Sequence, residues 1–394
     1  MKKLLLLTVL FGLSLPVFPF FPFFYGARSL ALGNSSLAFN YDTNALFINP
    51  ALLSSITSSL GGYQYQNSSL DFRDICGQLD SILARDLAGF ESLEEADRQA
   101  LLADLKEVIS SKAWLSGFRF RNPGFAGRGY ALAIATVDAA VVHPLASLAG
   151  AILDKPAGEI SNTDIASLRL RFLGFHYTDY SLAAAFPLSQ TTAFGATIHY
   201  LKGKNTEFTA ALADEPFQSG RNAKEILQYA WSAADRGFSK LNLDLGVSAA
   251  FGPYFRAGLA VKNVASPVIS TAAGELKLSR RLIAGLSFRP DSQLGIYLDI
   301  DVAQADLYHT GEEAQPLSLG IEKGLFRNKL LLRAGLWSDL AAKYFVGRRS
   351  NALYGLGFGF NLGNVLVDMA MGLDALGRVK NLGISGFYLL KGKN

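Results

Sequence analysis

The chain has 394 residues, 50% hydrophobic, 12% aromatic and 18% charged, with a formal net charge of +4. Charged residues make up roughly a quarter of an ordinary soluble domain, so a charge-poor chain with a mean hydropathy of +0.21 points away from that class. The small net charge and the lack of a Lys/Arg cluster argue against nucleic acid as a partner, and one cysteine, Cys76, excludes an intramolecular disulfide.

Lys2 and Lys3 followed by the apolar run Leu4 to Leu15 read as a secretory leader. Pro16, Pro19 and Pro22 break any helix soon after Leu15, so residues 1–24, with their phenylalanines, are expected to be a cleaved signal peptide and not an anchor. Residues 25–56 are rich in small side chains. Asp42 is placed to cap a helical turn from Thr43, and Pro50 occupies the tolerated first position of another. From about residue 57 to the end the chain reads as strands. In Ser239–Phe251, Leu241, Leu243, Leu245 and Val247 alternate with Asn242, Asp244, Gly246 and Ser248; in Gly295–Ala303, Ile296, Leu298, Ile300 and Val302 alternate with Tyr297, Asp299 and Asp301. Such strands have one apolar and one polar face. The apolar stretch Ala131 to Leu153 is interrupted by Asp138, His143 and Pro144 and reads as a strand followed by a loop.

Two insertions stand apart. Residues 70–112 carry helical periodicity in Leu79, Ile82, Leu83 and Leu87, then Leu101, Leu102, Leu105 and Ile109. Residues 206–237 hold a second helical patch around Ile226, Leu227 and Trp231. Many two-faced strands behind a leader predict an all-β transmembrane protein, an antiparallel outer-membrane β-barrel. About fifteen candidate strands start near residues 57, 113, 126, 164, 180, 192, 239, 253, 281, 294, 315, 328, 352, 363 and 380. Bacterial single-chain barrels have even strand numbers, so one of these is false or one is missing. A secreted soluble β-protein is disfavoured, because one core cannot bury so many aliphatic rows.

The run Gly26-Ala27-Arg28-x-Leu30-Ala31-Leu32-Gly33, then Asp42-x-Asn44-Ala45 and Asn49-Pro50-Ala51-Leu52, resembles the N-terminal signature of fatty-acid-transporter-like (FadL-like) outer-membrane barrels. That group includes the type IX secretion-associated, PorV-like proteins and the conjugal-transfer TraF-like proteins. Asn242 to Gly246 before Gly258 to Val264, Gly320 to Lys323 before Leu332 to Leu336, and Tyr354 to Asn361 are similar to the TraF-like branch. Asn34 departs from the group's usual glycine, and the chain ends on Lys391-Gly392-Lys393-Asn394 instead of an aromatic residue. The resemblance implies a barrel of about 14 strands over 57–394, with residues 25–56 folded inside as a hatch. Its motif residues are Gly26, Ala27, Arg28, Gly33, Asp42, Asn44, Asn49 and Pro50.

The polar faces carry the one charged constellation. Asp299 and Asp301 share a face, and two carboxylates so placed could do acid–base chemistry. The competing reading is an ion-pair network in the lumen. A hairpin turning at Arg327-Asn328 sets Glu322 opposite Arg333, with Asp244 and Lys262 in the same interior. Gly355-x-Gly357-x-Gly359 lacks the βαβ context of a nucleotide loop and reads instead as a close-approach strand. No Ser/His/Asp set is evident, and the four histidines lack metal-ligand spacing, so no catalytic, cofactor or metal site is expected. Trp337, at a strand end, suits an interfacial girdle.

Two non-enzymatic roles follow from the resemblance. One is an accessory of a cell-envelope transfer or secretion system, docking envelope proteins through the helical insertions, which tilt the expectation this way. The other is a hatch-gated channel for a hydrophobic small molecule. An outer-membrane or secreted enzyme is a third class. In the first two the surrounding partner is outer-membrane lipid.

Overall fold

The computed structural model describes residues 25–40, 42–70, 81–82, 90–110, 115–144, 155–211, 225, 235–271, 275–306, 313–341, 352–375 and 377–390. The leader, Cys76, Trp114, the patch Ile226 to Trp231, His309 and the last four residues lie outside the described residues.

Two short helices, α1 (Gly26–Ala31) and α2 (Ala45–Ile48), and a 3-10 turn (Pro50–Ser55) precede the first strand. Fourteen strands then close one antiparallel barrel in sequence order. They are β1 (Ser59–Leu70), β2 (Leu115–Gly127), β3 (Tyr130–Pro144), β4 (Arg169–Pro187), β5 (Thr192–Ala211), β6 (Arg236–Phe251) and β7 (Phe255–Lys262). The circuit continues through β8 (Arg281–Phe288), β9 (Leu294–Asp301), β10 (Pro316–Leu325), β11 (Leu330–Asp339), β12 (Ala352–Asn361) and β13 (Val365–Leu373). Strand β14 (Val379–Leu390) pairs back onto β1. Helix α3 (Glu95–Ser110) lies between β1 and β2, and α4 (Asn162–Ser167) between β3 and β4.

The count of fifteen contained one strand twice. The candidates near 164 and 180 are both parts of β4, which runs for 19 residues. Thr178-Asp179-Tyr180-Ser181 looks like a turn in sequence, but Asp179 and Ser181 are the strand's buried inward positions. Residue 164 itself belongs to α4, where Ser161 and Asp164 form a capping box. The second insertion is also shorter than 206–237: β5 continues to Ala211 and β6 begins at Arg236. Thr206 and Glu207 read as loop, but Glu207 is buried and bonded to Arg171 on β4. In the first insertion Leu101 and Leu105 are buried while Glu94, Glu95 and Asp97 are exposed, as a one-sided helix requires.

The two faces of the wall are inverted relative to a soluble protein. Leu132, Leu182, Ile198, Leu241, Leu286, Ile321, Leu356 and Leu382 are exposed on the outside, while Gln64, Thr197, Asp244, Glu322, Arg333 and Asp368 are buried inside. Apolar side chains on the outer surface need lipid, and a closed barrel leaves no backbone edge unpaired within it. Rings mark both limits of the apolar band. Tyr180 and Tyr200 are register partners with centroids 6.2 Å apart, and beyond them the outer face of β5 turns to exposed Lys202 and Lys204. At the other limit Phe186 and Phe251 are exposed and Phe255 stacks near Phe288 at 4.7 Å. These are interfacial girdles.

Turns at the Phe255 end are short (128–129, 188–191, 252–254, 289–293, 326–329, 362–364), and connections at the other end are mostly long. Short turns belong on the periplasmic side of such barrels. The wall is also uneven in height. Strands β4 and β5 have 19 and 20 residues, whereas β7, β8 and β9 have 8 each. Strand β6 pairs with β5 as far as Arg236 but with β7 only to Leu245.

Candidate functional site: the occupied lumen

Residues 25–56 cross the bore. Helix α1 lies against β12, β13 and β14, and the Pro50–Ser55 turn against β4, β5 and β6 on the other side. What lets a backbone approach the wall is a band of inward glycines that continues from strand to strand. Gly320, Gly335, Gly355 and Gly372 are successive register partners, as are Gly258 with Gly285 and Gly195 with Gly246. A Cβ at Gly335 or Gly355 would come within 3.0 Å of the backbone at Leu30 to Gly33, one at Gly258 would meet Leu37, and one at Gly195 would meet Pro50 and Ala51. A side chain there would force the segment or the wall to shift. Gly355 and Gly357 both face α1, whereas Gly359 makes room for Asp368 and Arg333.

The bends of the segment also follow from residue type. Gly33 has φ +62° and Asn34 φ +73°. Asparagine is among the few non-glycine residues that enter this region readily, and the Ser29 hydroxyl donates to its Oδ1 at 2.8 Å. That accounts for Asn34 where the resembling group has glycine. Asp42 Oδ1 accepts from Asn44 N–H at 2.7 Å, ahead of α2, which starts at Ala45. Asn49 Oδ1 accepts from Ala51 N–H at 3.1 Å and so caps the turn that Pro50 opens.

One end of the segment is held by charge. Arg28, 1% exposed, reaches Glu322 at 3.3 Å; Arg333 donates from Nε to Glu322 at 2.7 Å and from Nη1 to Asp368 at 2.6 Å. Glu322 and Arg333 are direct register partners across the hairpin, whose residues 326–328 all have positive φ. Asp299 Oδ2 accepts the backbone N–H groups of Ser36 and Leu37 at 2.7 and 2.8 Å. Asp301, on the same face, is held bidentately by Arg281 at 2.7 and 2.8 Å. The pair that could have served as acid and base is thus divided between the segment and an arginine, and both members are buried.

The other end relies on packing and mostly neutral bonds. Tyr25 stacks on Phe47 at 5.2 Å, and Phe47 meets Phe120 edge-on at 5.8 Å. Asn44 and Gln64 exchange amide bonds of 2.6 and 2.5 Å, the Thr197 hydroxyl donates to the Leu46 carbonyl at 2.7 Å, and Asn49 Nδ2 donates to the Val247 carbonyl at 3.1 Å. Gly26 N–H donates to Gln66 and Ala27 N–H to Ser385. Lys262 donates to the Phe47 carbonyl and pairs with Asp244. Burial pushes the Asp42 carboxyl up to about 6, against the downward pull of Arg28.

Sequence reasoning missed several of these partners. Gln64, Asp368, Asp179 and Thr197 sit in the polar slots of alternating strands, which was their one signal. It also missed Ser181, whose hydroxyl lies 3.0 Å from His199 Nδ1, with His199 Nε2 3.1 Å from Asp244. The set looks like a hydrolytic triad but is wired otherwise. Ser181 donates to Asp179 at 2.7 Å, and Asp179 also faces Nδ1 at 2.9 Å, so both ring nitrogens point at carboxylates. Trp337 is not in a girdle. It has the parity of inward-facing Gly335 and is 1% exposed inside the barrel.

Two spaces flank the segment. On the long-loop side a cavity of about 70 Å³ is lined by Tyr25, Phe47, Phe120 and Tyr177 and by charged Asp179, Asp244, Lys262 and Arg281. At the short-turn mouth a space of about 400 Å³ is lined by Ile56, Leu60, Leu331, Leu366 and Phe387, with Asp42 and Glu322. Among the described residues no group of His, Cys, Asp and Glu is placed to hold a metal ion.

The family model described as "F plasmid transfer operon, TraF, protein" matches residues 46–301. The chain belongs to that family. No curated protein matches it. Among solved structures, this TraF-family chain is similar to a Pseudomonas aeruginosa FadL homologue (10% identity, TM-score 0.54, covering 96% of this chain and 99% of that one). It is also similar to the Ralstonia pickettii toluene transporter TbuX (12%, 0.53, 93% and 98%) and the P. putida toluene transporter TodX (12%, 0.50, 93% and 99%). At these identities the likeness is one of fold: the TraF-family chain is a closed 14-stranded barrel built like these structures.

Proposed function

We propose that the protein is a channel that admits a hydrophobic small molecule through the lumen when residues 25–56, acting as a hatch, move aside. The observation that carries this reading is the segment itself, which lies between a cavity of mixed aromatic and charged lining on one side and a mainly apolar mouth on the other. A cavity of about 70 Å³ is well below the ~150 Å³ that accommodates a benzene ring, so passage requires movement. Solved barrels of the same fold are named as toluene transporters, which supports a hydrophobic cargo. The order expected from the sequence, accessory first and channel second, is reversed on these grounds.

A disulfide tests the movement. A Cβ built at Gly383 lies 3.5 Å from that of Ala27, within the range for a disulfide. The variant Ala27→Cys/Gly383→Cys, with Cys76→Ser, pins α1 to β14. Oxidation is expected to lower influx of a hydrophobic fluorescent probe into proteoliposomes at least about tenfold, with recovery on reduction. Equal influx through oxidised and reduced protein would rule the hatch out. Export through a cleaved leader at 1–24 belongs to the same proposal; a mature N-terminus before residue 15 would contradict it.

A second reading, an accessory of an envelope transfer system, rests on the family match and on the exposed acidic face of α3. Deleting 90–110 from the full chain should then abolish co-purification of an envelope protein while leaving influx unchanged.

A further inference from the structure

Among the described residues, two lumen-facing arginines at the short-turn mouth form no ion pair. Arg256 on β7 is the register partner of Ser287 on β8, and Arg289 follows the end of β8. Both guanidiniums lie over the ring of Phe39 from the hatch segment, at 5.6 and 4.1 Å. Among the described residues the Arg256 side chain has no hydrogen bond or ion pair. Arg289 makes one long bond, from Nη2 to the Ser292 carbonyl at 3.4 Å, and its buried Nε has no partner. The other arginines that hold the segment or its wall, Arg28, Arg281 and Arg333, all have carboxylates.

The nearby acids have other hydrogen-bond partners, although Asp291 also acts on Arg289 through space. Asp291 Oδ1 accepts the N–H groups of Gln293 and Leu294 at 2.6 and 2.7 Å, and Glu322 is shared by Arg28 and Arg333. The two guanidiniums line a space of about 380 Å³ together with Phe39, Tyr254, Ser287, Asp291 and Ser292. Like charges on neighbouring strands are unfavourable alone, and two guanidiniums against the one carboxylate of Asp291, beside three hydroxyl groups, leave a net positive charge complementary to an anion. Guanidinium forks match phosphate oxygens in geometry as well as charge. Phe39 covers one side of both guanidiniums.

We propose that Arg256 and Arg289 form a binding site for a phosphate group at the periplasmic mouth of the lumen, with Phe39 as its floor. The site stands whether or not a hydrophobic cargo passes through the barrel. The group has two possible carriers, a soluble phosphate or phosphomonoester and a phospholipid headgroup.

The test is calorimetric titration of full-length protein in neutral detergent and phosphate-free buffer, first with inorganic phosphate and then with micellar phosphatidic acid. Saturable phosphate binding is expected, weakened about tenfold or more by Arg256→Gln or Arg289→Gln. Arg327→Gln, an exposed arginine on the same rim, should change it less than about twofold. The band shift between unboiled and boiled samples confirms that each variant is folded. If Arg289→Gln does not fold, Arg256→Gln and the unmodified protein decide alone. Arginine-dependent binding of phosphatidic acid without phosphate ion supports the site with a lipid carrier. Absence of both, or binding that survives both substitutions, overturns it.

Discussion

The two ends of the N-terminal segment are held to the same wall by different physics. Residues 26–37 meet β7 to β14 through buried ions, backbone N–H groups on a carboxylate, and glycines that admit the chain. Residues 44–56 meet β1 to β6 mainly through aromatic packing and neutral hydrogen bonds. A buried charge tolerates no displacement, because losing its partner leaves it desolvated and unpaired. Stacked rings tolerate a shift of an ångström at small cost. Within the proposed channel, the aromatic end therefore yields first, and full opening needs α1 to follow it.

Substitutions can break that contrast. Glu322→Ala removes the acceptor shared by Arg28 and Arg333 and is expected to cost about 3–5 kcal/mol, read as a lower urea midpoint for the barrel in bilayers. Gly335→Ala leaves the strand pairing intact but drives a methyl group into Leu32 and Gly33. Its cost should be about 1–3 kcal/mol, seen as faster amide exchange over 26–37 with unchanged exchange in β11 and β12. Equal exchange in the variant would mean the glycine band is not what admits the segment. Phe47→Leu, at the forgiving end, is expected to cost less than about 1.5 kcal/mol; a loss as large as that of Glu322→Ala would erase the distinction.

The smallest effect is one of pH. Burial raises Asp42 from 3.8 to about 6, so the docked segment binds a proton that the undocked segment releases. Docking is therefore favoured below pH 4 and weakens as pH rises from about 4 to 6. Exchange over 42–49 should be slower at pH 5 than at pH 7 after correction for intrinsic rates. Asp42→Asn should flatten that difference.

Much of the wall was legible because alternation has a period of two and needs no knowledge of the partner strand. Leu241 and Asn242 declare opposite faces by themselves. Glu322 and Arg333 could be placed together because a short hairpin fixes its own register. Long-range meetings had no such signal. Arg28 and Glu322 are 294 residues apart, and which of many inward polar groups receives Arg28 depends on how α1 lies in the bore. Ser181 and His199 meet across two strands whose register is set by a four-residue turn, and β4 had been split in two. Trp337 was misplaced by composition, since a tryptophan at a strand end suggests a girdle until the parity of Gly335 puts it inside.

The unequal strand lengths have a consequence for the outer rim. From Arg236 to Asp244, β6 runs on beyond the end of β7, about 30 Å along the strand at ~3.3 Å per residue. That stretch is not left bare. The connection after β7 folds into a small hairpin, Val268–Ser270 with Glu275–Lys277. Its Ser270 and Thr271 carbonyls accept from Asn205 and Arg236, and the Thr271 hydroxyl donates to Glu207. The step in the wall is thus closed by a flap sewn to β5 and β6 through side chains. A seam of that kind can be unpicked by single substitutions, which a continuous strand ladder cannot.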